Sequence, residues 1–163
     1  MKLTYKVVDN FLDFNDYLKI FSKMNSETFP WHHIQKGVSN TGVEDGSYFV
    51  HKFVWNLEQS PYLHLLEPLL RKVDPKALKR VKGNLYPRTE KLFYHGVHTD
   101  FEYEHKAMIY FLNTNDGYTV LKKEGVKINS VQNRALFFNP LDEHQSTTCT
   151  DLQCRMNINM NYF

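Results

Sequence analysis

The last stretch of the chain alternates strictly. Arg155, Asn157, Asn159 and Asn161 take one set of positions, and Met156, Ile158, Met160 and Tyr162 take the other. A period of two belongs to a β-strand with one polar and one apolar face. Two surroundings fit this pattern: a half-exposed strand whose Asn side is wet, or a strand whose Asn side lines a polar cavity. Short apolar and β-branched runs precede it at 78–86, 92–98, 107–112, 118–121, 126–128, 134–138 and 145–148. Asn115-Asp116-Gly117, Glu124-Gly125 and Asn139-Pro140 separate several of them and are good turn formers.

The first part of the chain follows a different pattern. Residues 5–8 look extended. Phe14, Leu18 and Phe21 then recur at helical spacing behind Asp13, a suitable N-cap. Residues 37–46 hold three glycines with Ser, Asn and Thr and read as a loop. Residues 48–55 (YFVHKFVW) suit a strand, and 60–73 a helix that Pro68 kinks or splits. About eight short strands after a helical start predict a mainly β fold. The expected form is a double-stranded β-helix (jelly roll, cupin-like), with the N-terminal helices packed outside one sheet. One domain spanning 1–163 is expected, with 1–77 as a helical and strand support region and 78–163 as the jelly-roll core.

Composition agrees with a single packed core: 163 residues, 42% hydrophobic and 15% aromatic. The 20 basic and 18 acidic residues nearly cancel, so net charge says little about partners. The opening MKLTYKVVDNF lacks the apolar run and small-residue cleavage site of a signal peptide, and no run reaches the roughly 18 apolar residues of a membrane span. Cys149 and Cys154 read as reduced thiols. A soluble protein of the cytoplasm, without membrane contact, is expected. One local bias stands out. Arg71, Lys72, Lys76, Lys79, Arg80, Lys82, Arg88 and Lys91 cluster, which reads as a solvated helix and strand edge, or as a surface attracting an acidic protein or nucleic acid.

Candidate chemistry gathers late in the chain. His98-Thr99-Asp100 sits at a strand end, and residues two apart on a strand share a side, so imidazole and carboxylate could share one ion. His144 comes 44 positions after Asp100, behind Phe137-Phe138-Asn139-Pro140. Two His and one carboxylate with open positions form the facial triad of non-haem Fe(II) oxygenases. Arg155 lies 11 residues further on. A guanidinium inside a barrel needs an anion. That anion is either a protein carboxylate, in a structural ion pair, or the distal carboxylate of an oxoacid held in a bidentate fork. His95 and His105 flank the triad, and His95 reads as a surface or structural residue. His32-His33 and His51 have no partner at ligand spacing and read as structural.

The order His-x-Asp, then His, then Arg resembles the 2-oxoglutarate/Fe(II)-dependent dioxygenase superfamily. Residues 82–163 look like the small prolyl-4-hydroxylase-like oxygenases of phage and marine bacterial genomes. The resemblance rests on Lys82-Gly-Asn-Leu-Tyr-Pro87, His95-Gly-Val-His-Thr-Asp100, Asn113-Thr-Asn-Asp-Gly-Tyr-Thr119, Asn133-Arg134 before Phe137-Phe138, and Arg155-Met-Asn-Ile-Asn159. It implies Fe(II) on His98, Asp100 and His144, and the 2-oxoglutarate carboxylate on Arg155. It also implies contacts to the oxoacid from Asn84, Tyr86 and Asn157. Many relatives carry Ser where this chain has Asn157, and some prolyl hydroxylases carry a second oxoacid-binding Tyr where it has Phe111.

The implied activity is oxidative: with O2 as the second co-substrate and ascorbate as a reductant, a substrate C–H bond is hydroxylated and succinate and CO2 are released. Phe111, Phe137 and Phe138 are expected to wall the pocket or to pack as core. A polypeptide side chain such as proline is the expected substrate. Asn84-x-Tyr86 also resembles the motif of nucleic-acid demethylases, so a nucleobase is an alternative. A metal-binding jelly roll without turnover, acting as a sensor or interaction module, is a third reading.

Overall fold

The computed structural model describes residues 5–34 and 46–163. The loop expected at 37–46 lies, apart from Gly46, outside the described residues. Numbering the strands along the chain, the large sheet contains β1 (Tyr5–Val8), β2 (His32–Ile34), β3 (Tyr48–Trp55), β4 (Glu58–Gln59), β5 (Leu78–Pro87), β6 (Lys106–Phe111), β9 (Arg134–Phe138) and β11 (Cys154–Tyr162). Their order is β1-β9-β6-β11-β5-β3-β2, with β4 paired to β3, and every pairing is antiparallel. A second sheet has β7 (Tyr118–Leu121), β8 (Val126–Asn129) and β10 (His144–Ser146) in the order β10-β7-β8. This is the expected jelly roll. Strands from the first third, β1, β2 and β3, widen the large sheet on both sides.

The two faces of the large sheet bury different chemistry. Its outer face offers Val81, Met108, Tyr110, Met156, Ile158 and Met160 to the helices, forming the main core. Its inner face meets the small sheet through Ile109, Phe111, Leu136 and Phe138 against Leu121 and Ile128. The polar face of β11 is therefore covered too. Arg155, Asn157, Asn159 and Asn161 are all buried, because β11 is a central strand between β5 and β6 and the small sheet closes over it. Of the two surroundings its pattern allowed, the polar cavity is the one found.

Helix α1 (Phe14–Met24) starts at Asp13, whose carboxylate accepts the Asn15 N–H at 2.9 Å. Of Phe14, Leu18 and Phe21, only Phe21 packs on the core. Tyr17, Ile20 and Met24 face the sheet, while Phe14 and Leu18 are 58% and 43% exposed. Two contacts set the rotation. The Tyr17 hydroxyl donates to the Leu112 carbonyl at 3.0 Å. Met24 lies over Gly83, where an added Cβ would come within 2.7 Å of its Cε. Only a bare backbone on β5 lets the helix approach this closely. The helix expected at 60–73 divides at Glu67, as Pro68 requires, into a 3₁₀ segment (Pro61–Leu66) and α2 (Glu67–Val73). No helix among the described residues is long and apolar enough to cross a membrane.

A second difference lies at 92–98, where a strand is expected and two isolated bridges are found, Tyr94 to Thr147 and His98 to His144. His95 N–H donates to the Ser146 carbonyl at 2.9 Å, and His98 and His144 exchange backbone bonds at 2.9 and 3.1 Å. One extra residue is accommodated around Gly96-Val97, which breaks the ladder.

Candidate active site

The irregularity at Gly96-Val97 re-aims His98. Its ring and that of His144, on β10, lie 4.5 Å apart between centroids. Asp100 follows on the loop, its backbone N–H bonded to the Pro140 carbonyl at 3.3 Å. One donor atom from each of His98, Asp100 and His144 can be chosen so that all lie within 4.8 Å of one another.

The local bonds suit metal ligation. His98 Nδ1 lies 3.0 Å from the Gly96 carbonyl, and His144 Nδ1 lies 3.2 Å from the Asp142 carbonyl. A carbonyl only accepts, so each Nδ1 carries the proton and each Nε2 keeps its lone pair. The Nε2 atom of His144 is buried with no hydrogen-bond partner, a costly state unless something binds there. Burial pushes the His98 pKa down to about 4, helped by His144 alongside, and burial likewise lowers that of His144. Both rings are therefore neutral at pH 7, the form that binds metal. Burial would raise the Asp100 pKa, but neighbouring positive charge, Arg80 foremost, outweighs it and holds the carboxyl well below the usual range. The Arg80 guanidinium donates to Asp100 Oδ1, and Asn159 Nδ2 reaches Oδ2 at 3.4 Å. A neutral His pair, one ionised carboxylate and an orphaned Nε2 fit a divalent cation.

Arg155 is wholly buried. Its Nε donates to Ser130 Oγ at 2.7 Å. One terminal nitrogen donates to Ser146 Oγ at 3.2 Å and to the Thr147 carbonyl at 3.1 Å, and the other to Thr119 Oγ1 at 3.0 Å. The Tyr86 and Phe111 rings flank the guanidinium at 5.4 and 5.7 Å. Every partner is neutral, and no described carboxylate forms an ion pair with it, so a protein-internal salt bridge does not explain this residue. Burial lowers its pKa to about 10, leaving it a cation at neutral pH. Gly117 makes the seat possible, since a Cβ there would lie 2.7 Å from Arg155 Cδ and 2.5 Å from the Thr148 carbonyl oxygen.

Antiparallel register lines up the rest. Tyr86 stands opposite Arg155, Asn84 opposite Asn157, and Lys82 opposite Asn159. Asn84 Nδ2 donates to Asn157 Oδ1 at 2.9 Å, while Asn84 Oδ1 is buried without a partner. Asn84, Tyr86 and Asn157 line one narrow cleft with His98 and His144, which also touches His95, Ser146 and Lys82. Five of the seven expected residues line this cleft; Asp100 adjoins it beside His98 and His144, and Arg155 adjoins it behind Tyr86 and Ser146.

Several expectations need correction. Phe111 and Phe138 face the cavity side, Phe138 packing on His144 at 4.8 Å. Phe137 points to the opposite face and packs on Phe11 at 5.6 Å, because neighbours on a strand alternate. His95 is buried, with its ring against Tyr48, Tyr86 and Phe93. The basic cluster is not one solvated edge: Lys82 is buried and the Arg80 side chain is only 13% exposed. Burial lowers the Lys82 pKa to about 8, with Arg80 adding to the effect. Arg80, Lys82, Asn84 and Tyr86 share one parity on β5, so period two applied to this strand is the signal that finds both cations.

No family model matches the sequence, and no curated protein matches it. Solved structures do match. A prolyl hydroxylase from Trichoplax adhaerens, in complex with a hypoxia-inducible factor oxygen degradation domain peptide fragment, superposes with a TM-score of 0.73 at 14% identity, over 99% of this chain and 84% of that one. A viral collagen prolyl hydroxylase from Paramecium Bursaria Chlorella virus-1, in its 2-oxoglutarate complex, gives 0.67 at 12% identity, over 98% and 96%. A non-haem α-ketoglutarate-dependent epimerase of nogalamycin biosynthesis gives 0.68 at 13% identity, over 98% and 77%. The chain has the fold of the 2-oxoglutarate/Fe(II) oxygenases, a fold that serves hydroxylation and other oxidative chemistry alike.

Proposed function

We propose that the protein is an Fe(II)- and 2-oxoglutarate-dependent dioxygenase that hydroxylates a C–H bond of a polypeptide side chain, with proline as the leading candidate. The observation that carries this is Arg155, a fully buried cation without a protein carboxylate, held against Ser146 and Tyr86 of the cleft that His98 and His144 also line, with an orphaned nitrogen on His144. A bare metal site has no use for such an arginine, whereas a dicarboxylate bound to the metal brings an anion to it. The overall reaction is R–H + 2-oxoglutarate + O2 → R–OH + succinate + CO2. One oxygen atom enters the substrate and the other enters succinate.

His98, Asp100 and His144 would hold the iron, which when bound supplies dioxygen activation. Arg155 anchors the far carboxylate, and Ser146 and Thr119 keep its fork oriented. Tyr86, Asn84 and Asn157 offer hydrogen bonds along the oxoacid. Phe111 and Phe138 keep water from that side of the cleft. Ascorbate serves as reductant. Peptide as substrate is favoured by the prolyl hydroxylases among the similar structures, one of which carries a peptide.

The test incubates the protein with Fe(II), 2-oxoglutarate and ascorbate against a proline-containing peptide library and, separately, methylated single-stranded DNA and RNA. A mass gain of one oxygen on peptides is expected. Formaldehyde from methylated nucleic acid, with peptides untouched, refutes the peptide assignment. The metal site is tested separately. Asp100→Ala and His144→Ala should each lose Fe(II), or Mn(II), Co(II) or Ni(II) as stand-ins, and all turnover. Undiminished metal content in both variants sinks it.

A further inference from the structure

Lys82 has no role in the proposed reaction, yet it lines the cleft with His98, His144 and Asn159 and is 9% exposed. Among the described residues its ammonium has no hydrogen bond and no ion pair. Its contact is the Tyr48 ring, 5.9 Å from Nζ to centroid. Lys52 stands directly opposite on β3, in register with Lys82, so both side chains leave the same face. Like charges placed so are destabilising, and among the described residues the one acid whose charge reaches Lys82 is Asp100, without a direct ion pair. The nearby Arg80 is on the same face one pleat further along, and its acid is Asp100, which the metal would share.

Three cations, the metal and one carboxylate leave this end of the cavity strongly positive. 2-Oxoglutarate does not cancel the excess. Arg155 lies opposite Tyr86, four residues along β5 from Lys82, which is about 13 Å at roughly 3.3 Å per residue. The end carbons of a five-carbon diacid are only about 5 Å apart by standard bond lengths. The co-substrate can satisfy Arg155 while Lys82 remains without an anion of its own.

We propose that Lys82, with Lys52 and Arg80 around it, forms a second anion subsite beside the metal ligands, and that it takes a side-chain carboxylate of the peptide substrate. The peptide thus presents an acidic residue next to the one oxidised. This assignment rests on the oxygenase reading. A carboxylate fits better than a phosphodiester backbone. Nucleic acid needs a track of cations along successive phosphates, whereas here exposed Glu58 stands in register with Trp55, and exposed Glu102 and Glu104 flank Tyr103 in the segment after Asp100. One recessed ammonium receives one charge.

The experiment uses the full chain loaded with Ni(II) and 2-oxoglutarate, so that binding is read without turnover. Three labelled peptides carry one proline and differ only in flanking Glu, Gln or Lys, and a single-stranded oligonucleotide is the fourth probe. Fluorescence anisotropy should show the Glu peptide binding at least about ten-fold tighter than its Gln isostere, a difference of about 1.4 kcal/mol. Lys82→Met should erase this preference, Lys82→Arg should retain most of it, and Lys52→Met should reduce it. Nickel and 2-oxoglutarate affinities should stay as in wild type in Lys82→Met. The subsite is overturned by equal binding of the Glu and Gln peptides, by a preference that survives Lys82→Met, or by absence of peptide binding. Weaker 2-oxoglutarate binding in Lys82→Met assigns Lys82 to the co-substrate instead, and Lys82-dependent binding of the oligonucleotide in place of peptide replaces carboxylate by phosphate. Both outcomes also overturn the proposal. The peptide series is repeated on metal-free protein. A Lys82-dependent Glu preference without nickel or 2-oxoglutarate binding would leave the subsite standing while the oxygenase reading falls.

Discussion

Arg155 and Lys82 are both cations buried against the same cleft, but the fold holds them in opposite ways. Arg155 has four hydrogen bonds to neutral groups and two flanking rings, so its fork is locked before anything binds. Lys82 has none among the described residues, only the Tyr48 ring near its ammonium. A pre-oriented planar fork suits a ligand that is always the same, and an unrestrained point charge suits one whose approach varies. The contrast separates a co-substrate end from a substrate end.

The strongest way to break this comparison is Arg155→Met. Losing one partner of a buried charge pair costs roughly 3 kcal/mol or more, so half-saturating 2-oxoglutarate should rise by about 100-fold or more while metal binding survives. Steady-state kinetics or calorimetry checks it. Unchanged co-substrate affinity would move the clamp elsewhere, and a matching loss in Lys82→Met would erase the distinction between the two ends.

The next effect is on stability and has the opposite sign. Lys82 falls from an ordinary 10.5 to about 8 in the folded protein. Below about pH 8 both folded and unfolded chains carry the proton, so the full penalty of burying it is present. Between about 8 and 10.5 the folded chain releases the proton while the unfolded chain keeps it, so the penalty fades as pH rises. Metal-free Lys82→Met should therefore be more stable than wild type at pH 7, by at most ~3.5 kcal/mol at about 1.4 kcal/mol per pKa unit. The gap should narrow toward pH 10. Denaturant titrations at pH 7 and 10 decide it, and a less stable variant at pH 7 would mean that Lys82 is a structural residue.

Gly117→Ala sharpens the other end. Its Cβ would press on Arg155 Cδ and the Thr148 carbonyl. Overpacking of this kind costs about 1–3 kcal/mol, so stability should fall and 2-oxoglutarate should bind about ten-fold more weakly. Wild-type co-substrate affinity in this variant would show that the seat of Arg155 tolerates displacement. The smallest effect belongs to the rest of the basic cluster. Arg71 makes an exposed pair with Glu67 at 3.9 Å, and Lys72 lies over the Phe11 ring at 5.2 Å. Arg71→Ala and Lys72→Ala should change stability by about 1 kcal/mol or less and leave peptide selectivity as it was. A selectivity change there would extend the anion surface beyond the cleft.

How much could be read beforehand follows from what each pattern encodes. Alternation in β11, turn signals between short runs and the order of His98, Asp100, His144 and Arg155 are all local or linear, and they point to a jelly roll with the candidate site residues in or beside one cleft. The face of α1 was not legible in that way. Phe14, Leu18 and Phe21 obey helical spacing as well as Tyr17, Ile20 and Met24 do, and Gly83 on a distant strand chose between them. The bridges at 94 and 98 replaced a strand because an extra residue had to be absorbed opposite β10, which no run of β-formers reveals.

By itself the sequence determined the period of each element, the residues able to bind a metal and their order along the chain. Only the tertiary structure decided what covers each face. Period two says that Arg80, Lys82, Asn84 and Tyr86 lie together, but not whether water or a second sheet lies over them. The small sheet closing across β5 and β11 turned one row of polar side chains into a buried cavity wall. It separated Lys82 from the solvated lysines beside it in sequence. Burial, which alters a charge far more than its neighbours in the chain do, is a property of the packed layers, and it made this row a candidate site.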